Sequence, residues 1–235
     1  MVRSTPAARP FITPGRRGWP RTLTVMSDPV DSVGATRDQG GPPMTAALSQ
    51  PVEPAPVRDD WTAEDLDRLP DDYRYEIVDG ALHMTPSPLP EHNEIAHMLT
   101  AHLRSLSPEA WSATHDVDVI LTEDGRNTRR PDVVVYRRDR KRQKLRAVDV
   151  PLVVEIVSPS SKTEDRVTKP AVYAEAGIPC YWRVEQEPTL SVVEYRLTEL
   201  GKYYEHSPRA GVFTVEQPWP IEIDLGAVAR EAGLG

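Results

Sequence analysis

Three carboxylates interrupt apolar runs that otherwise read as β-strands. Glu155 lies within PLVVEIV, Asp132 follows Pro131 at the head of VVVY, and Glu76 sits inside YRYEIV. Burying a charge is costly unless it is paired or holds a metal. Any one of these carboxylates could be an ordinary surface residue or salt-bridge partner, but the combination is harder to dismiss. Glu155 is the strongest, because the residues from Leu152 to Val157 are apolar on both sides of it. Neighbouring strands lie about 4.8 Å apart, so carboxylates on strands that share a sheet can converge on one hard cation. Oxygen donors without paired cysteine or histidine spacing favour Mg²⁺ or Mn²⁺ over Zn²⁺.

Downstream, Asp165 and Lys169 stand four residues apart, acid first, and Tyr173 is one further step along the same helical face. Read plainly, this is a surface ion pair worth roughly 0.3–0.5 kcal/mol. Read functionally, the Lys169 ammonium faces the carboxylates, where it orients an activated water or stabilises a pentacoordinate phosphorus transition state. His92, His97 and His102 are spaced by five, which spreads them around a helix, so they read as surface or core-edge residues; His92 stands out near the helix start. There is no HExxH zinc motif, no GxSxG around Ser158, and no phosphate-binding glycine loop. The single cysteine, Cys180, excludes a disulfide framework and a Cys-rich zinc site, and nothing marks it as a nucleophile.

These groups need a scaffold, and the patterning supplies one. WTAEDLDRLP (61–70) predicts a short helix capped by Thr62 and ended by Pro70. YRYEIVDGALHMT (73–85) predicts a hairpin turning at Asp79-Gly80. Residues 91–106 have the spacing of an amphipathic helix. THDVDVILT (114–122) alternates like one strand, and 131–136 and 151–158 read as central strands buried on both faces. Residues 162–177 are helical in pattern, with Pro170 forcing a kink or two short helices. Strands follow at 180–185 and 190–197, further β-structure runs through KYYEH, GVFTVE and WPIEIDL, and GAVAREAG closes the chain as a helix. Interleaved strands and helices predict an α/β or α+β fold around a central mixed sheet.

Composition sets the limits. The chain has 235 residues and a net charge of −8. No run approaches the roughly 20 apolar residues of a membrane-spanning helix, so an integral membrane protein is excluded. One cysteine suits a reducing, cytoplasmic setting. Ten of the 24 prolines fall in residues 1–57, with few adjacent apolar residues, so 1–57 is expected to be a disordered extension and 58–235 the folded domain. The first 25 residues carry five arginines and no acid, which resembles a transit peptide; a true start at Met26 or Met44 would account for them equally well. The rest is acidic, yet ten basic residues crowd between Arg126 and Arg146. They form either a solvated loop or a phosphate-facing arm, and Arg129, Arg130, Arg137, Arg138, Arg140 and Lys141 are the candidate contacts.

YEIVDG (75–80), the EHNE helix start with His92, RRPDVVVY (129–136), VVEIVSPSS (153–161) and DRVTKPAVYAEAGIPCYWRVE (165–185) occur in an order and spacing that resembles the Uma-type (Uma two) family. That family lies within the PD-(D/E)XK restriction-endonuclease-like superfamily. The resemblance covers about residues 61–200 and implies a restriction-endonuclease-like core, a central mixed sheet flanked by helices, here with extra C-terminal strands. It also implies a Mg²⁺-dependent (or Mn²⁺-dependent) endonuclease that hydrolyses DNA and leaves a 5′-phosphate. On this reading Asp132 is the Asp of the PD motif and a metal ligand, and Glu155 is the second ligand, with the Ile156 carbonyl nearby. Glu76 is the acid of the first motif. His92, Asp165 and Tyr173 support the site. The superfamily places a lysine two residues after the Glu; this chain has Val157 there, and Lys169 is read as its migrated replacement. Many relatives dimerise, and strands near 190–224 offer an edge for a homodimer. The competing expectations are a nuclease-like module that binds nucleic acid or a protein without cutting, and a hydrolase of small phosphate esters.

Overall fold

The structure, a computed structural model, describes residues 58–70, 73–85, 87–138, 143–158 and 164–234. The extension 1–57, expected to be disordered, lies outside the described residues, as do Arg140 and Lys141.

A four-residue 3₁₀ turn, Asp65–Arg68, opens the described chain. It replaces the longer helix expected over 61–70. The Thr62 hydroxyl does not cap it as an acceptor; the Thr62 backbone N–H and hydroxyl both donate to Asp65 Oδ2, at 3.0 and 3.1 Å. Strands β1 (Arg74–Val78) and β2 (Ala81–Thr85) form the expected hairpin. Asp79 and Gly80 take φ of 50° and 81°, the left-handed turn that Asp-Gly tolerates. A Cβ on Gly80 would sit 2.4 Å from the Asp59 carbonyl. Helix α1 (Pro90–Leu106) follows, with proline in its first turn, where no helical N–H partner is lost.

The alternating run 114–122 is two strands, not one. Strand β3 (Trp111–Thr114) ends at a bend, and β4 (Val119–Ile120) begins in a different sheet. Asp116 adopts φ 56°, which breaks the extended run and sends the chain across. Strands β5 (Thr128–Arg129), β6 (Val133–Arg137), β7 (Leu145–Arg146) and β8 (Leu152–Ile156) follow. A π-helical turn, Glu164–Thr168, leads into α2 (Lys169–Glu175), which carries Pro170 in its first turn. The expected break at proline therefore falls where the helix changes pitch. Then come β9 (Cys180–Glu185), β10 (Ser191–Leu197), β11 (Tyr203–Glu205), β12 (Arg209–Ala210), β13 (Val212–Val215), β14 (Ile221–Asp224) and α3 (Leu225–Glu231). The Asp224 carboxylate caps α3 by accepting from the Gly226 and Ala227 N–H groups.

Among the described residues, seven strands make the main sheet, in the order β11-β10-β9-β8-β6-β3, with β12 also pairing β10. The β8–β9 pair is parallel and its neighbours antiparallel, so the sheet is mixed as expected. A smaller sheet runs β2-β1-β5-β4-β7, and β13-β14 is a separate hairpin. Alternation along the central strands sets two cores. Val133, Val135, Val154, Ile156 and Trp182 pack with α1, α3 and the β13-β14 hairpin. Val134, Val153 and Tyr181 pack on the other face with Tyr173 of α2 and Val119 of the small sheet. Every residue of β8 is buried, as a strand covered on both faces must be.

Candidate active site

Val133 pairs with Val154 in the β6–β8 ladder, so Asp132, one step before β6, continues that register opposite Glu155. Alternation points Glu155 to the face covered by α2, and the Ile156 N–H donates to Asp132 Oδ2 at 2.8 Å. Glu155 is 1% exposed. Its Oε1 accepts from the Tyr173 hydroxyl at 2.6 Å, and its Oε2 lies 2.8 Å from Lys169 Nζ. Lys169 Nζ is also 2.9 Å from Asp165 Oδ1. The i, i+4 pair is therefore not a solvated helix face: it straddles the pitch change and turns inward. Tyr181, on the strand beside β8, donates to the Asp165 carbonyl and pins the π-turn to the sheet.

Surplus negative charge defines this cluster. Burial raises the Glu155 pKa, and the charges of Asp132, Asp165 and Glu76 add to that; the Lys169 charge opposes them, and the net result is about 8. Burial works against the Lys169 ammonium, but Glu155, Asp165, Glu76 and Asp132 together hold it above the ordinary lysine value. Asp132 goes the other way. Burial would raise it, but the hydrogen bond and charge of His92, the charge of Lys169 and the Ile156 N–H keep it below the usual range. Burial and the adjacent Glu155 push Tyr173 well above the ordinary phenol value, so it remains a donor.

His92 is buried in the first turns of α1. Its Nε2 lies 3.1 Å from Asp132 Oδ2 and 3.2 Å from the Ile156 carbonyl. Both partners are acceptors, so Nε2 carries the proton. Glu76 belongs to the small sheet, contrary to the expectation that its strand shares a sheet with Asp132 and Glu155. It is nevertheless anchored toward them: Oε1 accepts the Arg130 N–H at 3.1 Å, and its charge is felt at Glu155, Lys169 and Tyr173.

The basic stretch divides. Arg129 is fully buried and donates to the Ile77 carbonyl at 3.1 Å, so it is a structural residue closed to any phosphate, contrary to expectation. Arg130 is half-buried, with Nε 2.8 Å from Asp118 Oδ1. Arg137 and Arg138 are exposed at the end of β6; Arg137 lies over the Trp111 ring and Arg138 donates to the Trp111 carbonyl. Two residues that sequence reasoning passed over border the site. Arg74 lies 3.8 Å from Asp132 Oδ1, and His115 lines the same cavity as Arg74, His92 and Asp132. Arg74 gave a signal in standing two residues before Glu76 on one strand, and so on the same face; His115 gave none.

Among the described residues, no three His, Cys, Asp or Glu side chains converge as a ready-made metal cage. The oxygens that do converge are Asp132 Oδ2 and the Ile156 carbonyl, both bordering His92 Nε2, with Glu155 beside them. One or two carboxylates and a carbonyl, completed by water and substrate phosphate, suit the way Mg²⁺ binds, and the surplus of carboxylates favours a cation. The residues present therefore fit a hard divalent ion.

Comparison with known proteins bears on the family and the fold. The family Uma2, described as "Putative restriction endonuclease", matches residues 63–225. No curated protein matches. Among solved structures, one described as "a putative nuclease belonging to DUF820" from Anabaena variabilis ATCC 29413 aligns with a TM-score of 0.55, over 73% of this chain and 99% of that one, at 14% identity. At that identity the likeness is one of fold, and it bears out the mixed α/β, nuclease-like core.

Proposed function

The chain belongs to the Uma2 family, described as putative restriction endonucleases, and from that membership we propose that it is a metal-dependent endonuclease hydrolysing DNA phosphodiester bonds. The observation that carries the reading is the register that sets Asp132 opposite Glu155, with Lys169 Nζ 2.8 Å from the Glu155 carboxylate. It supports the expected carboxylate pair, and it supports Lys169 as the lysine that Val157 lacks.

A Mg²⁺ or Mn²⁺ ion held by Asp132, Glu155 and the Ile156 carbonyl would supply an activated water and neutralise phosphate charge. The chain's own groups do the rest. His92 and the Ile156 N–H fix one carboxylate oxygen of Asp132, and Tyr173 and Lys169 fix Glu155. Lys169, kept charged by four carboxylates, orients the attacking water and faces the negative charge that develops on the phosphoryl oxygens. Arg137 and Arg138, with Arg140 and Lys141, follow the DNA backbone through salt-sensitive contacts that read no bases.

A second reading, a nuclease-like module that binds without cutting, is favoured by one observation: both Glu155 oxygens are already taken by protein groups. Nicking of supercoiled plasmid with Mg²⁺ or Mn²⁺ separates the two. We expect wild type to nick and Asp132→Ala, Glu155→Ala and Lys169→Ala, purified identically, to lose nicking. Salt-sensitive DNA retention by a wild type that never nicks would establish the binding module instead.

A further inference from the structure

A cavity of about 460 Å³ has Asp132 and His92 in its wall and extends past Arg74 to His97 and His115. Resting on the phosphodiester reading above, we propose that this cavity is a phosphate-binding subsite. In it Arg74 grips the DNA backbone phosphate that adjoins the scissile one, and His97 and His115 flank it.

Arg74 is built for this and is only loosely paired. A guanidinium offers five N–H donors in a planar fork that matches phosphate oxygens. Among the described residues, one hydrogen bond engages that fork, from Nη2 to the Arg130 carbonyl at 3.1 Å. Its distances to the Asp116 and Asp132 carboxylates, 3.5 and 3.8 Å, exceed normal hydrogen-bond length. The side chain is 18% exposed, so the fork is oriented by its surroundings yet open to a ligand.

The histidines come from separate elements. His97 lies on α1, and His115 lies at the bend after β3, where the chain leaves the main sheet. Their rings meet edge to face, with centroids 6.0 Å apart, and both are exposed at the cavity. Asp132 and Arg74 line the same cavity, so a strand whose scissile phosphate sits at Asp132 brings a neighbouring phosphate to Arg74 when it runs along this wall. Asp116 and Glu94 also line it and partly balance the basic groups. The subsite is therefore tuned for a phosphate already tethered in a strand, where effective concentration makes up for modest intrinsic affinity.

The test is anisotropy of a fluorescein-labelled DNA duplex, with Ca²⁺ in place of Mg²⁺, across a salt series. Arg74→Ala should weaken binding about tenfold and lower the slope of log affinity against log salt by about one, the signature of one lost phosphate contact. Arg74→Lys, which keeps the charge without the fork and guards against a folding defect, should bind several-fold more weakly than wild type. Lys202→Ala, exposed on the β10–β11 hairpin at the opposite edge of the main sheet, should change neither quantity. In side-chain NMR of the six histidines, the duplex should shift His97 and His115 and leave His206 in place. Wild-type affinity and slope in a folded Arg74→Ala protein, or unmoved His97 and His115 resonances, would overturn the subsite even if plasmid is nicked. Failure to nick with Arg74-dependent binding intact would remove the hydrolysis and leave the subsite standing. A wild type that binds no duplex overturns both.

Discussion

The Tyr173 hydroxyl donates to Glu155 Oε1 at 2.6 Å, and both groups are buried. A helix of seven residues thus fixes the orientation of a carboxylate on the central strand, while Lys169, one turn earlier on that helix, takes its other oxygen. Tyr173→Phe keeps the shape and removes the bond. An ordinary hydrogen bond contributes about 0.5–1.5 kcal/mol and a buried acceptor left without its donor adds about 1–3 kcal/mol, so a loss of about 2 kcal/mol in urea unfolding is expected. The nicking rate should fall about tenfold, with duplex affinity unchanged. A variant that nicks at the wild-type rate would reduce Tyr173 to a packing residue.

Glu155 carries a pH signature. Its folded pKa, about 8, lies above the ordinary value of 4.5, so the folded state binds the extra proton. The sign follows: this group's favourable contribution is complete below pH 4.5 and is lost as pH rises toward 8. Glu155→Gln is neutral throughout that window. In metal-free buffer, the Tm of the variant relative to wild type should therefore climb between pH 5 and pH 8, by about 2–4 °C for each kcal/mol recovered. It should also abolish nicking, a trade between stability and activity common at active sites. A Tm difference that is flat with pH would show that Glu155 is ionised throughout.

The parts of this site legible in the sequence were those that depend on strand pattern. A charge inside a run buried on both faces has few explanations, which is why Glu155 stood out, and Pro131-Asp132 beside VVVY marked the strand that pairs with it. The hairpin at Asp79-Gly80 and the break near Pro170 were readable because those residues carry their own backbone preferences. What failed depended on crossings between sheets. Alternation in 114–122 continues through Asp116, yet the positive φ there ends one sheet and begins another. Strands of two residues, such as β5 and β7, have no period to detect. Arg129 looked like part of a basic arm because charge was counted along the chain; its neighbours in space are the Ile77 carbonyl and Glu76.

Cys180 offers a probe of opening. It lies fully buried in β9, and burial pushes its thiol up to about 12. The thiolate is the reactive form, so in native protein at pH 8 this cysteine should resist DTNB, reacting at least a hundredfold more slowly than a free thiol. In urea it should react at the free-thiol rate. Because the chain has one cysteine, the native labelling rate reports the opening of the central sheet directly. Rapid labelling without denaturant would mean that the sheet around the start of β9 opens on its own.

Lys169 is the residue on which structure and chemistry depend together, and the two roles separate by substitution and pH. Lys169→Met leaves Glu155 and Asp165 buried without their ammonium. Removing one member of a buried pair costs about 3–5 kcal/mol, because the remaining charge is uncompensated. That cost must shrink in acid, where the stranded carboxylates take up protons, so the deficit in urea unfolding should be larger at pH 8 than at pH 5. The lysine's own pKa is raised on folding, so its contribution is fully present below its ordinary value of 10.5, and both measurements fall inside that range. Lys169→Arg keeps the charge but not the compact ammonium that fits between Glu155 and Asp165. It should recover most of the stability and little of the nicking, because orienting a water is more demanding than neutralising two carboxylates. Equal deficits for Lys169→Met at pH 5 and pH 8 would mean that Lys169 stabilises the fold through its aliphatic stem. Full nicking by Lys169→Arg would mean that charge alone is what the reaction requires.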